Sequence, residues 1–314
     1  MAPDIISPRL ALSTFVASLN ATAHKATVRQ YVLSRGSSTY GFTHATGLIA
    51  CEHGYSTFNL LTPDGYNPKT DKGHKRGYAT AVLYLAPARN SGLNTCIDAT
   101  PDCTAACLYT AGRGGFDPEV AAARLARTHF FFYHRSEFNS RLALEISAHQ
   151  RKCERVSMAC AVRLNGTSDF PWERLLLNNG RTPLETYPSV QFYDYTKTVA
   201  RALAWASGEM PSNYHLTFSR AETARNQAAA AAVLAAGGNV AVVMRICGCG
   251  PLTSCKHSIV DGLQYDGRPV VNGDLDDLRF LDPPGVIVGL KAKGQARVEP
   301  LSGFVVDMRQ AVAA

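Results

Sequence analysis

The sequence predicts an α/β chain built around a TIM-like (β/α) barrel, complete or open on one side, with an irregular N-terminal extension. Three observations predict it. Short apolar runs alternate with helical stretches, the starts of the central runs fall 24 to 32 residues apart, and polar residues follow each run directly. That spacing is the length of one βα unit, which makes the strands parallel. A doubly wound sheet gathers its site at one switch point, whereas a barrel assembles one from many strand-end loops, so the repeated polar strand ends favour the barrel.

Residues 1–76 form the extension: Gly36, Ser37 and Ser38, then a stretch with Pro63, Gly65, Pro68, Lys69 and Lys72, punctuate short strands with loops. Residues 77–314 form the barrel-like domain. It opens with an apolar run at 80–85 ended by Pro87, followed by a cysteine-rich loop at 94–115. Two helices follow at 118–135 and 137–155, the first started by Asp117 as N-cap with Pro118 at its first position. Strand-like runs then fall at 158–164, 190–193, 214–218, 240–244, 269–271 and 286–290. Helices lie at 198–208 and 220–236, the second stopped by Gly237 and Gly238.

Composition bounds the function. With 46% hydrophobic and 18% charged residues the chain is not disordered, and its longest apolar stretches, such as 228–236, are too short for a bilayer, which needs roughly 20 residues. Residues 1–9 carry Asp4 and Pro8 and lack a basic start and apolar run, so a cytoplasmic location is expected. Nine cysteines, an odd number, then read as thiols or metal ligands rather than bridges. The net charge of +7 admits a polyanionic partner or a merely basic surface. No Gly-x-Gly-x-x-Gly or Walker lysine loop supports dinucleotide or NTP chemistry.

Two cysteine sets can hold metal. Cys247, Cys249, Cys255 and His257 supply three thiolates and an imidazole, a full tetrahedral set for zinc, with Gly248, Gly250 and Pro251 allowing the tight wrap; an ordinary thiol-rich loop is the alternative. Cys96, Cys103 and Cys107 place three thiols within twelve residues, suited to zinc or an iron–sulfur cluster, or to plain burial.

Asp169 and Asp194 end consecutive strands and are expected at one barrel mouth, where facing carboxylates divide the roles of nucleophile and acid or base. A helix starting near Pro171 would instead make Asp169 an N-cap. Asp274 follows Gly273 as a further site candidate, while Asp277 beside Arg279 reads as half of an ion pair. Asn165, Ser168, Lys197, Arg113 and Lys291 stand at strand ends or on a glycine-rich loop, where they meet substrate or form a solvated basic rim.

Several of these segments together carry a resemblance. Leu85-Ala86-Pro87, the cysteine triplet leading to Ala111-Gly112-Arg113-Gly114, Arg163-Leu164-Asn165-Gly166-Thr167-Ser168-Asp169, Phe192-Tyr193-Asp194-Tyr195-Thr196-Lys197 and the stretch from Gly273-Asp274 to Asp282-Pro283 resemble a family of actinobacteriophage gene products, over about residues 84–304. That family is similar to the phage DNA-guanine transglycosylases, distant relatives of the tRNA-guanine transglycosylases. The resemblance implies a barrel mouth with two aspartates, one attacking C1′ to displace guanine from DNA in favour of a 7-deazaguanine base such as preQ0. It also implies a structural zinc held by residues like Cys247, Cys249, Cys255 and His257. The superfamily's Asp-Ser-Gly-Gly-Phe element is echoed by Gly166-Thr167-Ser168-Asp169-Phe170, with a different zinc spacing, leaving Asp169 and Asp194 both open as nucleophile.

Such an exchange needs a carboxylate and a proton carrier but neither ATP nor a redox cofactor, and a duplex guanine must first be flipped out. Two other classes compete: an iron–sulfur, radical-SAM-like barrel enzyme using Cys96, Cys103 and Cys107, and a non-catalytic DNA-binding protein. The triplet's x6 and x3 spacing departs from the usual Cys-x3-Cys-x2-Cys of radical-SAM enzymes.

Overall fold

A computed structural model describes residues 59–110, 117–249, 256–298 and 303–310 of the chain. It is a mixed α/β structure whose centre, among the described residues, is a sheet of ten strands. Strand β1 (Leu61–Thr62) and the short helix α1 (Pro68–Asp71) precede β2 (Tyr78–Leu83), and α2 (Pro101–Ala105) lies in the cysteine-rich loop. Helices α3 (Pro118–Tyr133) and α4 (Arg135–Arg155) lead to β3 (Ala159–Arg163), and α5 (Pro183–Thr186) to β4 (Gln191–Thr196). Then follow α6 (Val199–Ala206), β5 (Tyr214–Ser219), α7 (Ala224–Ala235), β6 (Asn239–Arg245), β7 (Gln264–Tyr265), β8 (Arg268–Asn272), β9 (Ile287–Lys291) and β10 (Val305–Asp307).

The strands run in the order β1-β2-β3-β4-β5-β6-β9-β8-β7, with β10 beside β6. From β2 through β6 to β9 and β8 every pairing is parallel, and among the described residues only the end pairs β1/β2 and β7/β8 are antiparallel. The expected beat of parallel strands is present, but among the described residues the hydrogen-bonded path does not close into a ring. Residues 239–241 of β6 pair with β5, whereas 243–245 pair with β10, so β5 and β6 part toward their C-terminal ends and β10 fills the wedge.

Both faces of the sheet are covered, which is why its strands are nearly continuously buried. On one face Phe130, Phe131, Phe138, Leu142 and Ile146 of α3 and α4 pack on Ala79, Ala81, Val162 and Phe192. The other face receives residues 276–282. Phe280 meets the rings of Tyr78 and Tyr193 at 5.0 and 5.4 Å, and Asp277 takes hydrogen bonds from Arg163 and Tyr193. This segment carries the chain from the β8 side of the sheet across to β2, β3 and β4.

Residues 59–76 are tied to the same body. The backbone N–H groups of Leu60 and Leu61 donate to the Glu145 carboxylate at 3.0 and 2.8 Å, and both side chains are buried in the core. The earlier part of the expected extension, 1–58, lies outside the described residues. Among the described residues no helix is long and apolar enough to cross a membrane.

Candidate metal centre and the strand-end rim

Strand β6 ends at Arg245, and the chain turns through Cys247 and Cys249 before His257 returns ahead of β7. The ligand atoms of Cys247, Cys249 and His257 all lie within 4.8 Å of one another. Cys249 Sγ is 3.5 Å from His257 Nδ1. A tetrahedral ion bound to sulfur at about 2.3 Å and to imidazole nitrogen at about 2.05 Å would hold those atoms about 3.6 Å apart, so the pair already has the edge length of a metal site. Lys291 Nζ donates to the His257 carbonyl at 2.7 Å, pinning the histidine to the end of β9. These Cys and His groups can therefore bind a metal ion. Cys255, expected as the fourth ligand, lies outside the described residues. A small cleft beside the group is lined by Met244, Arg245, Cys247, Cys249, Lys291 and Arg297.

A second group, His149, Cys153 and Cys160, is equally close-set but buried between α4 and β3. His149 Nε2 lies 3.2 Å from the carbonyls of both Ala79 and Ala161, which occupies that nitrogen with the sheet backbone. A hydrogen bond from Cys160 draws the Cys153 thiol down to about 5 against its burial. This trio is not apparent from sequence, where the i, i+4 spacing of His149 and Cys153 on one helix is its only local signal.

Asp194 is enclosed, 1% exposed in the middle of β4. It accepts hydrogen bonds from the Asn165 backbone and side chain at 2.7 and 3.1 Å and from the Tyr214 hydroxyl at 3.0 Å. Burial pushes its carboxyl up to about 7, against the lowering pull of Arg163, these donors and Arg201. Asp169 lies on the loop after β3, where Arg201 Nη1 meets it at 2.5 Å and the Lys197 backbone and Thr196 hydroxyl donate to its other oxygen. Burial raises its pKa, but the Arg201 ion pair acts the other way. No helix starts after it: Trp172 to Arg174 form turns, so the N-cap alternative is not what the structure contains. The two aspartates are thus linked through Arg201 and Tyr214, whose hydroxyl accepts from Arg201 Nη2 at 3.0 Å and donates to Asp194, rather than facing each other across an open mouth. Asn165 and Ser168 belong to the same network, Ser168 Oγ donating to Asn165 Oδ1 at 2.9 Å.

The remaining polar strand ends line a rim. Lys197 reaches Ser219 Oγ at 2.6 Å and stands 5.4 Å from the centre of the Phe304 ring. Asp274 accepts from Lys293 Nζ at 2.5 Å and from the Lys291 backbone at 2.8 Å, and its side chain keeps 19% exposure. Burial alone would raise its pKa, but Lys293 and Lys69 hold it below the usual carboxylate value. Cys96 sits 3.8 Å from the Thr167 carbonyl, and burial pushes its thiol up to about 11. The sulfurs of Cys96, Cys103 and Cys107 do not form a group closed to 4.8 Å like the two above. Arg113 lies outside the described residues.

Fold and site define a mixed α/β protein with a Cys/His group able to hold a metal ion at the C-terminal end of a central parallel strand. The Gene product 88 family model matches residues 59–307, and the chain belongs to that family of phage gene products. No curated protein and no solved structure matches it.

Proposed function

We propose that the protein is a DNA-modifying enzyme that exchanges guanine for a 7-deazaguanine base of the preQ0 type. The observation that carries this is the Cys247, Cys249 and His257 group at the end of β6, tied through Lys291 to Asp274 on the same rim. We read the sheet as an opened barrel: β2 to β6 follow one another in sequence order, and residues 276–282 bridge from β8 toward β2. The soft donor set suits zinc, the sequence offering Cys255 as the fourth ligand, in a role that ties Cys247 and Cys249 after β6 to His257.

In this reading the nucleophile is Asp274, the rim carboxylate held ionised by lysines, while enclosed Asp194 and Arg201-bound Asp169 position the loop around Asn165. The carboxylate attacks C1′ of the nucleoside as the C1′–N9 bond breaks, and guanine leaves with the electron pair and takes a proton; Lys293 is the nearest donor. The incoming base then attacks C1′ through N9, gives its N9 proton to the Lys293 amine left neutral by the first step, and frees the carboxylate. No electron is gained or lost overall.

The test is release of labelled guanine from DNA on addition of preQ0, run on the full chain and on Asp274→Asn, Asp169→Asn and Asp194→Asn. Release by the parent and none by Asp274→Asn supports the proposal; release by Asp274→Asn but not by a folded Asp169→Asn moves the nucleophile to Asp169. DNA binding without release by the parent protein would make it a non-catalytic DNA-binding protein. Metal analysis separates the third class: zinc without sulfide agrees, whereas several irons with sulfide, lost when Cys96, Cys103 and Cys107 become alanine, would replace base exchange by radical chemistry.

A further inference from the structure

We propose that Arg124, held between the rings of Tyr84 and Tyr109 at the strand-end rim, binds a backbone phosphate of a nucleic-acid strand. Arg124 stands on α3 between apolar neighbours and is 8% exposed, so more than nine-tenths of it is buried. Its guanidinium carbon lies 5.2 Å from the centre of the Tyr84 ring and 5.3 Å from that of Tyr109, holding the cation between two aromatic faces. Nε and Nη1 are both buried and donate to no described group.

Other buried arginines among the described residues find acceptors, Arg245 in the backbone carbonyls of Cys247 and Arg297 and three more in carboxylates. Arg201 has Asp169 and Glu173, Arg163 has Asp277, and Arg279 has Asp276 and Asp282. The ionisable groups around Arg124 are Tyr84, Tyr109, Cys107 and Arg127, with no carboxylate among them in the described residues. A guanidinium buried without an anion or acceptor is costly and calls for a missing partner. Further cations border the same spot: Arg163 also adjoins Tyr84, and Lys197 also adjoins Cys107. Arg163 itself leaves Nε unpartnered while its guanidinium lies 4.8 Å from the centre of the Tyr195 ring. Four cations, with Asp277 beside Arg163 and Glu145 beside Arg127, and several rings match a phosphate flanked by bases, since the phosphate supplies charge and acceptors and the bases stack on aromatic faces.

The inference rests on the nucleic-acid part of the proposed function and not on base exchange, and its test keeps the two apart. The full chain, Arg124→Gln, Arg124→Lys and Tyr109→Leu are titrated into a fluorescein-labelled 12-nucleotide single strand over a range of salt. Circular dichroism melts confirm that each variant folds. Arg124→Gln should bind about tenfold more weakly, with the slope of log K against log salt reduced by about 0.7, the share of one phosphate on a single strand. Arg124→Lys should keep most of the slope, and Tyr109→Leu should lose affinity without changing it. A methylphosphonate strand of the same sequence should bind parent and Arg124→Gln alike. Parent-like affinity and slope in folded Arg124→Gln, an equal loss on the uncharged strand, or an ordered water at Nε and Nη1 with the strand bound elsewhere would overturn the inference. Loss of binding in Arg124→Gln from a protein that releases no guanine would uphold it while base exchange fails.

Discussion

Asp194 on β4 and Asn165 on the loop after β3 are joined twice, the Asn165 backbone N–H donating to Oδ1 at 2.7 Å and its side-chain amide to Oδ2 at 3.1 Å. Asn165 Oδ1 in turn accepts from Ser168 Oγ and from the Phe170 backbone. One buried carboxylate therefore fixes the loop that carries Asp169 to the rim.

Removing that carboxylate leaves two Asn165 donors and the Tyr214 hydroxyl facing an apolar gap. Asp194→Ala should cost about 3 kcal/mol of stability, measured by urea unfolding. A cost under about 1 kcal/mol would show that the loop is held by other contacts.

The same residue sets a pH dependence. Burial raises its folded pKa from 3.8 to about 7, so in that window the folded state holds a proton that the unfolded state has released. Stability from this group is complete below pH 3.8 and is lost as pH rises toward 7. The melting temperature of the parent protein should fall relative to Asp194→Asn between pH 5 and pH 7, and parallel profiles would refute it.

Arg201 is the hub of the neighbouring ion network. It bonds Asp169 at 2.5 Å and both oxygens of Glu173 at 2.8 and 2.9 Å, with side-chain exposures of 5%, 11% and 6% for Arg201, Asp169 and Glu173. Arg201→Met would strand two enclosed carboxylates, so a loss of about 3 to 5 kcal/mol is expected in denaturant titration. The exposed Arg309–Asp307 pair makes the contrast, and Arg309→Ala should change stability by less than about 1 kcal/mol.

How far the sequence carries depends on the range of the signal. The runs at 158–164, 214–218 and 240–244 coincide with β3, β5 and β6 because strands buried on both faces leave nearly unbroken apolar segments. The Cys247, Cys249 and His257 group was legible because its ligands are close in sequence and chemically distinctive. The enclosure of Asp194 was not: with both faces covered, alternation along β4 no longer tells solvent from core. Nor could local pattern reveal that Arg201 answers Asp169 from 32 residues away, or that residues 276–282 cover the sheet.

Gly166 shows how tightly the rim loop is packed. A Cβ built there would lie 2.6 Å from the Tyr84 ring and 2.7 Å from the Leu83 carbonyl oxygen. The backbone oxygen cannot move without disturbing β2, so Gly166→Ala should destabilise by about 1 to 3 kcal/mol. Because Tyr84 flanks Arg124, the same variant should also weaken binding of a DNA strand, read by fluorescence anisotropy.

Metal removal tests the end of β6. If Cys247, Cys249 and His257 hold an ion in the folded state only, saturation a thousandfold above the dissociation constant adds about 4 kcal/mol of stability, and a chelator removes it. The parent should therefore melt at a lower temperature after dialysis against EDTA and recover with zinc, while Cys249→Ser should carry less metal and respond little to either treatment. Cobalt substitution should give the visible absorption of a tetrahedral thiolate site in the parent and lose it in His257→Ala. Cys153→Ser, which alters the buried His149, Cys153 and Cys160 trio, should leave metal content unchanged; a drop there would relocate the metal to the interface of α4 and β3.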